Sequence, residues 1–245
     1  MSEVVNHALK WDEVGAKQYE LGVSKGVLYK YNSTSKKWLG VAWNGLISVT
    51  ESPDGAEEQE LWADNIKYGG IRSAEKLSGS IEAYMYPEEF ESCDGMAAPV
   101  KGVTLGQQKR DPFCLCYRSE IGNDQDAEAG YRLHIVYNAT CSPSEKAYET
   151  INDSPDAMTF SWDFDTTPVN VTGFKPTSHI CIDSTDFTGS DASTLEALEE
   201  VLYGSTAGQA ELPLPDDLLA LLGYEPEEDD DEDEDEDEDE EHVGP

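Results

Sequence analysis

The segment from Thr159 to Asp165 alternates strictly between two kinds of side chain. Aromatic residues stand at positions 160, 162 and 164, and polar or acidic residues stand at 159, 161, 163 and 165. Successive side chains of a β-strand point to opposite faces, so this pattern predicts a strand with one face in a core. The other face, which carries Asp163 and Asp165, is expected to meet water or a neighbouring subunit.

Short runs of β-type residues recur along the chain, and turn residues separate them. Alternating apolar positions at 131, 133, 135 and 137 indicate a second strand of the same kind. Pro53-Asp54-Gly55 predicts a turn, within a long hairpin tip over 51–60. Strands are predicted at 26–31, 38–50, 61–68, 77–86, 112–121, 131–140, 146–151, 157–166 and 177–183.

Two helices are expected near the C-terminal end. The first covers 194–203, where Gly204 ends a helical pattern. Its apolar stripe consists of Leu195, Leu198, Val201 and Leu202. A shorter helix over 216–222 follows two prolines and stops at Gly223, and we expect it to dock on this subunit or the next one.

The C-terminal end is a run of acidic residues. Positions 227–241 are all Asp or Glu and carry −15 of the formal net charge of −36, which leaves −21 elsewhere. A segment so charged and so poor in apolar groups is predicted to be disordered. The expected organisation is an N-terminal arm at 1–25, a β-sandwich domain at 26–212, a short C-terminal helix at 213–224 and a disordered acidic tail at 225–245.

The acidity of the remaining chain bears on its partners. Binding to nucleic acid by counterion release needs clustered Lys and Arg, so sequence-specific DNA binding is excluded. An acidic surface can still lie next to DNA, because a negative wall repels phosphates and lets a duplex pass without sticking.

Residues with catalytic or metal-binding chemistry form no recognisable pattern. Phosphate-binding, nucleophile-elbow and zinc-protease motifs are absent, and the histidines are His7, His134, His179 and His242. We therefore expect no enzyme, no catalytic residue, no cofactor and no metal, with His134 a satisfied surface or interface residue.

The cysteines are five, an odd number at irregular spacing, which favours reduced and partly buried thiols over a disulfide framework. Cys114 and Cys116 share a strand face and are expected to serve packing rather than metal binding.

The N-terminal residues lack a basic region followed by an apolar stretch, and no run is long enough to span a membrane. We expect a soluble intracellular product.

Several short sequence segments together resemble those of one protein family. They include AWNGL at 42–46, ESPDGAE at 51–57, ADNIKY at 63–68 and IEAYMYPEEF at 81–90, and the resemblance runs from about position 11 to 214. In these segments the chain resembles the major tail tube protein of long, non-contractile-tailed bacteriophages. The resemblance implies a compact β-sandwich or barrel with a flanking helix, and hexameric rings of the subunit stacked into a hollow tube.

The resemblance also implies partners and surfaces. The partners would be further copies of the chain, a tape-measure protein, other tail proteins and viral double-stranded DNA that passes through the lumen without specific binding, with no membrane involved. The location would be the virion tail, and the host cytoplasm before assembly. Asp163 and Asp165 are expected to face the lumen. Contacts between rings are expected at Pro53, Asp54, Gly55, Glu57 and Glu58.

Two other interpretations stay open. The acidic tail, which is not a general feature of the family, is also compatible with a β-barrel binding module that shields basic proteins in the manner of a histone chaperone. A carbohydrate-binding β-sandwich would use exposed tryptophans, although tryptophans are more often core residues. The tryptophans are Trp11, Trp38, Trp43, Trp62 and Trp162.

Overall fold

The fold is mainly β, as expected. A computed structural model describes residues 9–55, 58–72, 75–148, 150–151, 157–206 and 208–224. The strands are β1 (Gln18–Asn32), β2 (Lys37–Ala42), β3 (Leu46–Asp54), β4 (Glu58–Ala63), β5 (Ile66–Arg72), β6 (Lys76–Ala83), β7 (Ala97–Val100), β8 (Val103–Leu105), β9 (Phe113–Asn123), β10 (Gly130–Cys141), β11 (Phe160–Thr166), β12 (Val169–Val171), β13 (Phe174–Thr177), β14 (His179–Asp183) and β15 (Glu211–Leu212). The helices are α1 (Ala192–Tyr203) and α2 (Pro215–Leu221), with 3-10 turns at Glu88–Ser92 and Ser184–Asp186.

One large sheet organises the domain. Its strands follow the order β15-β2-β1-β9-β10-β11-β6-β3, and β14 also pairs with β10. Both β14 and β11 lie along one edge of β10, with β14 opposite residues 132–136 and β11 opposite 139–141. Three two-stranded hairpins, β4-β5, β7-β8 and β12-β13, stand apart from this sheet.

The first core lies inside the curve of the sheet. Leu28 of β1, Ile81 of β6, Leu115 of β9 and Trp162 of β11 belong to one buried cluster, so strands from both ends of the sheet enclose it. Around Trp162, the rings of Trp43 and Phe90 lie at centroid distances of 5.9 and 5.1 Å. Edge-to-face contacts of this kind add to the stability from burial.

The second core lies between the sheet and the helices. The opposite faces of β1, β9, β10 and β14 bury apolar side chains against Leu195, Leu198 and Leu202 of α1 and Leu218 of α2. Three of the four residues of the predicted stripe are thus confirmed as buried, while Val201 is half-buried, and Gly204 follows the helix with φ +80. Helix α1 therefore covers the outer side of β1, β9, β10 and β14. The outer side of β3, β6 and β11 has no helix on it among the described residues.

The N-terminal boundary differs from the expected one. Strand β1 begins at Gln18, inside the segment assigned to an arm at 1–25, because Gln18 to Leu21 pair with β9 beyond two register shifts. The predicted strand at 38–50 is divided into β2 and β3 by a turn in which Gly45 has φ +76.

The predicted turn at Pro53-Asp54-Gly55 is wrong. Pro53 and Asp54 lie in β3, opposite Leu77 and Lys76 of β6. A proline is tolerated there because β3 ends the sheet, where its missing N–H breaks no ladder.

The predicted strand at 61–68 is also wrong, because the chain reverses within it. Asp64 and Asn65 have φ of 51° and 61° and form the tip between β4 and β5. A two-residue hairpin turn whose twist matches the right-handed twist of its strands requires positive φ at both central residues.

Other differences concern short segments. Residues 146–148 and 150–151 form no strand, although a strand was predicted over 146–151. The hairpins β7-β8 and β12-β13 were not predicted. The expected acidic tail at 225–245 lies outside the described residues.

Candidate assembly surfaces

The outer side of β3, β6 and β11 is a continuous polar surface, which we call the polar face. It consists of Ser48, Thr50, Ser52, Ser78, Ser80, Glu82, Ser161, Asp163 and Asp165. These residues alternate with inward-facing positions, so the same strands supply the first core. These nine residues include three carboxylates and neither Lys nor Arg, and the same face continues to Asp54 and the exposed Lys76, which lie opposite each other.

Hydrogen bonds tie part of this face together. Ser48 Oγ donates to Glu82 Oε2 at 3.0 Å, and Ser78 Oγ donates to the Ser52 carbonyl at 2.9 Å. Asp163 and Asp165 are exposed, while Trp162 and Phe164 between them are buried. The predicted division of this strand into a core face and an open face is therefore confirmed.

The β4-β5 hairpin is the main exposed apolar element. Trp62 is 64% exposed and Tyr68 is 77% exposed. Its other exposed apolar residues are Leu61, Ile66 and Ile71. An isolated two-stranded hairpin has marginal stability in water, and clustered exposed apolar groups mark interaction sites. The hairpin is therefore a candidate contact surface.

Ion pairs connect the two strands of the hairpin on one of its faces. Lys67 Nζ lies 2.8 Å from Glu58 Oε1 and 3.1 Å from Glu60 Oε1. Trp62 Nε1 also donates to Glu60 Oε2 at 3.1 Å. These contacts are exposed and contribute little energy, so they orient the strands more than they stabilise them.

The residues predicted to contact a neighbouring ring lie at the base of this hairpin. Pro53, Asp54 and Gly55 precede it and Glu58 opens β4, while Glu57 lies outside the described residues. Asp54 Oδ1 accepts a hydrogen bond from the Gly55 amide at 2.7 Å. The apolar tip side chains, which sequence reasoning assigned to a strand, lie further out. The signal that could have located the tip is the Asp-Asn pair inside an apolar run.

Further apolar groups are exposed in two other segments. Val100, Val103 and Leu105 are exposed on the β7-β8 hairpin, and Trp11 is exposed before β1. Trp43 and Trp162 are core residues, but Trp11 and Trp62 are not. The expectation that tryptophans pack in the core thus holds for some of them only.

A polar cluster occupies one end of the first core. Tyr117 Oη donates to Glu51 Oε1 at 2.6 Å, and His179 Nε2 lies 3.2 Å from the same oxygen. The ring of Tyr117 stacks on His134 with centroids 4.8 Å apart and planes 5° from parallel. A carboxylate oxygen of Glu51 and a ring nitrogen of each of His134 and His179, atoms able to ligate a metal, all lie within 4.8 Å of one another. His134 is therefore part of a partly buried group rather than an isolated surface residue.

Glu20 joins this cluster from β1. Its carboxylate accepts hydrogen bonds from Ser119 and from Arg132 Nη1, the latter at 2.7 Å, and lies 3.2 Å from His134 Nε2. The hydrogen bond from Ser119 is the largest cause that lowers the pKa of Glu20. Burial lowers the pKa of His179, against the opposing charge of Glu51. These two shifts favour the ionised form of Glu20 and the neutral form of His179.

The cysteines serve packing, as expected for Cys114 and Cys116. Both are buried in the second core, and burial raises the pKa of each thiol to about 12. Cys93 and Cys141 are also buried, Cys181 is exposed, and all five are free thiols.

The chain matches no family model and no curated protein. Among solved structures, it is similar to a chain of the sheath–tube complex of an extracellular contractile injection system (PVC) in the extended state, at 11% identity and a TM-score of 0.28. The match covers 65% of this chain and 88% of the other. This likeness is too weak to support an inference about the present chain. Within the residues that the structure describes, no helix is long and apolar enough to cross a membrane.

Proposed function

We propose that this chain is the structural subunit of the tail tube of a long, non-contractile-tailed bacteriophage. Copies of it form hexameric rings that stack around a channel for DNA ejection, without catalytic turnover. The observation that carries the proposal is the β4-β5 hairpin. Residues of its two strands are exposed in the single subunit, apart from one half-buried position. Among the exposed side chains are the large aromatic rings of Trp62 and Tyr68. Such an element gains stability when a second copy of the chain covers it.

The polar face suits the wall of the channel. Most of its side chains are the short hydroxyl groups of Ser and Thr, which project little from the sheet. Glu82, Asp163 and Asp165 give it negative charge. Negative charges repel DNA phosphates over about 8 Å at physiological ionic strength. The single Lys of the face, Lys76, lies at its end opposite Asp54, so the face offers little counterion release. DNA would slide past it without sticking.

Further partners follow from the same role. The tape-measure protein and other tail proteins would contact the ends or the interior of the tube. The subunit would be made in the host cytoplasm and act in the virion tail. Contacts between rings would involve the base of the β4-β5 hairpin, at Pro53, Asp54, Gly55, Glu57 and Glu58, together with its apolar tip.

Electron microscopy of the purified chain over a range of concentrations tests the proposal. The full chain and a variant truncated after Tyr224 should both form hollow rings or tubes, since the hairpin and the polar face lie before the acidic tail. If both stay monomeric and the full chain alone binds basic proteins, the tube proposal fails and the shielding module takes its place.

A further inference from the structure

We propose that Glu51, His134 and His179 form a binding site for a divalent transition metal, with zinc as the ion that fits best. Two imidazoles and one carboxylate are a common ligand set for zinc, which leaves a fourth position for water. The site is independent of the tube proposal, because all three residues belong to one subunit.

The distances between the three side chains favour metal binding. Their donor atoms lie within 4.8 Å of one another. A tetrahedral zinc ion with bonds of about 2.0–2.2 Å needs its ligand atoms about 3.4 Å apart. Closing the site therefore needs the ligand atoms to approach one another by at most about 1.4 Å.

Two ring nitrogens of this cluster lack hydrogen-bond partners. His134 Nδ1 and His179 Nε2 are buried and have no such partner among the described residues. His179 Nε2 lies near Glu51 Oε1 without the geometry of a hydrogen bond. Buried polar atoms normally have partners, and a metal ion would supply one to both nitrogens at once.

The surrounding hydrogen bonds hold the ligand side chains as a metal site requires. Glu20 Oε1 lies 3.2 Å from His134 Nε2, so a proton on Nε2 leaves the lone pair of Nδ1 free for the ion. A carboxylate behind a ligating histidine is the usual support of such sites. Tyr117 Oη orients the Glu51 carboxylate from the other side.

The charges around the cluster also favour a cation. Glu20, Glu51 and Asp183 contribute three carboxylates, and Arg132 contacts two of them, Glu20 and Asp183. This leaves Glu51 as the carboxylate without Arg132.

A bound ion would join strands that lie on different sides of the first core. Glu51 comes from β3, at one end of the sheet, whereas His134 and His179 come from the paired strands β10 and β14. The ion would close the polar end of the core. It would raise the free energy of unfolding by an amount that grows with the ratio of ion concentration to dissociation constant.

Titration of the full, chelator-treated chain with Zn²⁺ and with Co²⁺ tests the site. We expect one tight equivalent of Zn²⁺ and, with Co²⁺, the intense visible absorption of a tetrahedral nitrogen and oxygen site. The acidic tail can add only weak oxygen sites, whose Co²⁺ absorption is faint.

Matched variants separate the site from the tail. His179→Gln and Glu51→Gln should each weaken the tight Zn²⁺ equivalent at least tenfold and remove the intense Co²⁺ band, while Glu82→Gln on the polar face and His242→Gln should keep both. Circular dichroism checks that each variant is folded, and Glu51→Gln retains an oxygen that can accept from Tyr117. If the wild-type chain shows only weak binding, or if His179→Gln and Glu51→Gln bind as tightly as the wild type, the proposal is overturned.

Discussion

Asp163 of β11 lies opposite Ser80 of β6, and both side chains face away from the aromatic core. If this face lines the channel, replacing Asp163 and Asp165 with lysine gives each subunit two cations where DNA passes. Since both side chains are exposed, the subunit should still fold and assemble. Assembled tubes of Asp163→Lys/Asp165→Lys should retain DNA fragments that resist nuclease, and the amount should fall steeply as salt rises.

The control for this prediction is Glu88→Lys/Glu89→Lys, which changes charge equally at two exposed positions outside the polar face. DNA that binds these tubes should be digested by nuclease. Equal nuclease resistance in both variants would contradict a channel lined by the polar face.

The apolar tip of the β4-β5 hairpin predicts an effect on assembly alone. Trp62→Ser/Tyr68→Ser should leave thermal unfolding nearly unchanged, because both side chains are exposed in the subunit. Losing a central aromatic contact costs about 2 kcal/mol or more, so the concentration needed for assembly should rise at least about tenfold. Light scattering across a concentration series measures this.

The conservative variant Trp62→Phe/Tyr68→Phe keeps two apolar rings and should assemble nearly as the wild type does. If the serine variant assembles at the wild-type concentration, the hairpin is not part of the interface.

Sequence periodicity was sufficient for the parts of the fold that depend on local burial. The alternation at 159–165 predicted β11 and the outward position of Asp163, and the apolar stripe of 194–203 predicted α1, because each pattern repeats within a single element. The hairpin at 58–72 was missed. Its turn uses Asp64 and Asn65 in place of glycine, and its apolar residues resemble those of a buried strand.

The histidine cluster could not be predicted from spacing at all. Glu51, His134 and His179 are distant in sequence, and only the pairing of β10 with β14 and the closure of the sheet by β3 bring them together. A metal ligand set on one helix or one loop shows its spacing in the sequence, whereas a set gathered from three strands does not.

The contact between Tyr29 and helix α1 predicts a measurable loss of stability. Tyr29 is fully buried, and its hydroxyl donates to the Leu202 carbonyl at 2.7 Å near the end of the helix. Tyr29→Phe leaves that carbonyl unpaired and should lower the free energy of unfolding by about 1–3 kcal/mol. Urea denaturation measures the change. Tyr31→Phe, at a partly exposed position on the same strand, should cost much less, and equal losses would contradict the role of this hydrogen bond.

Thiol labelling tests the packing of the cysteines. Burial raises the pKa of Cys93 to about 11 and of Cys114 and Cys116 to about 12, so their reactive thiolates are scarce at neutral pH. A maleimide should label one thiol rapidly in the folded subunit, at the exposed Cys181, and all five after denaturation. Cys181→Ser should remove the rapid phase. Rapid labelling of several thiols in the native chain would contradict the buried positions.

We expect this chain to form a hollow tube with the polar face of β3, β6 and β11 toward the channel. Cryo-electron microscopy of assembled particles tests this arrangement. We expect stacked rings, with Asp163 and Asp165 on the channel wall and the β4-β5 hairpin buried against another subunit. Particles without a channel, or a tube whose outer surface carries Asp163 and Asp165 while the hairpin stays in solvent, would contradict it.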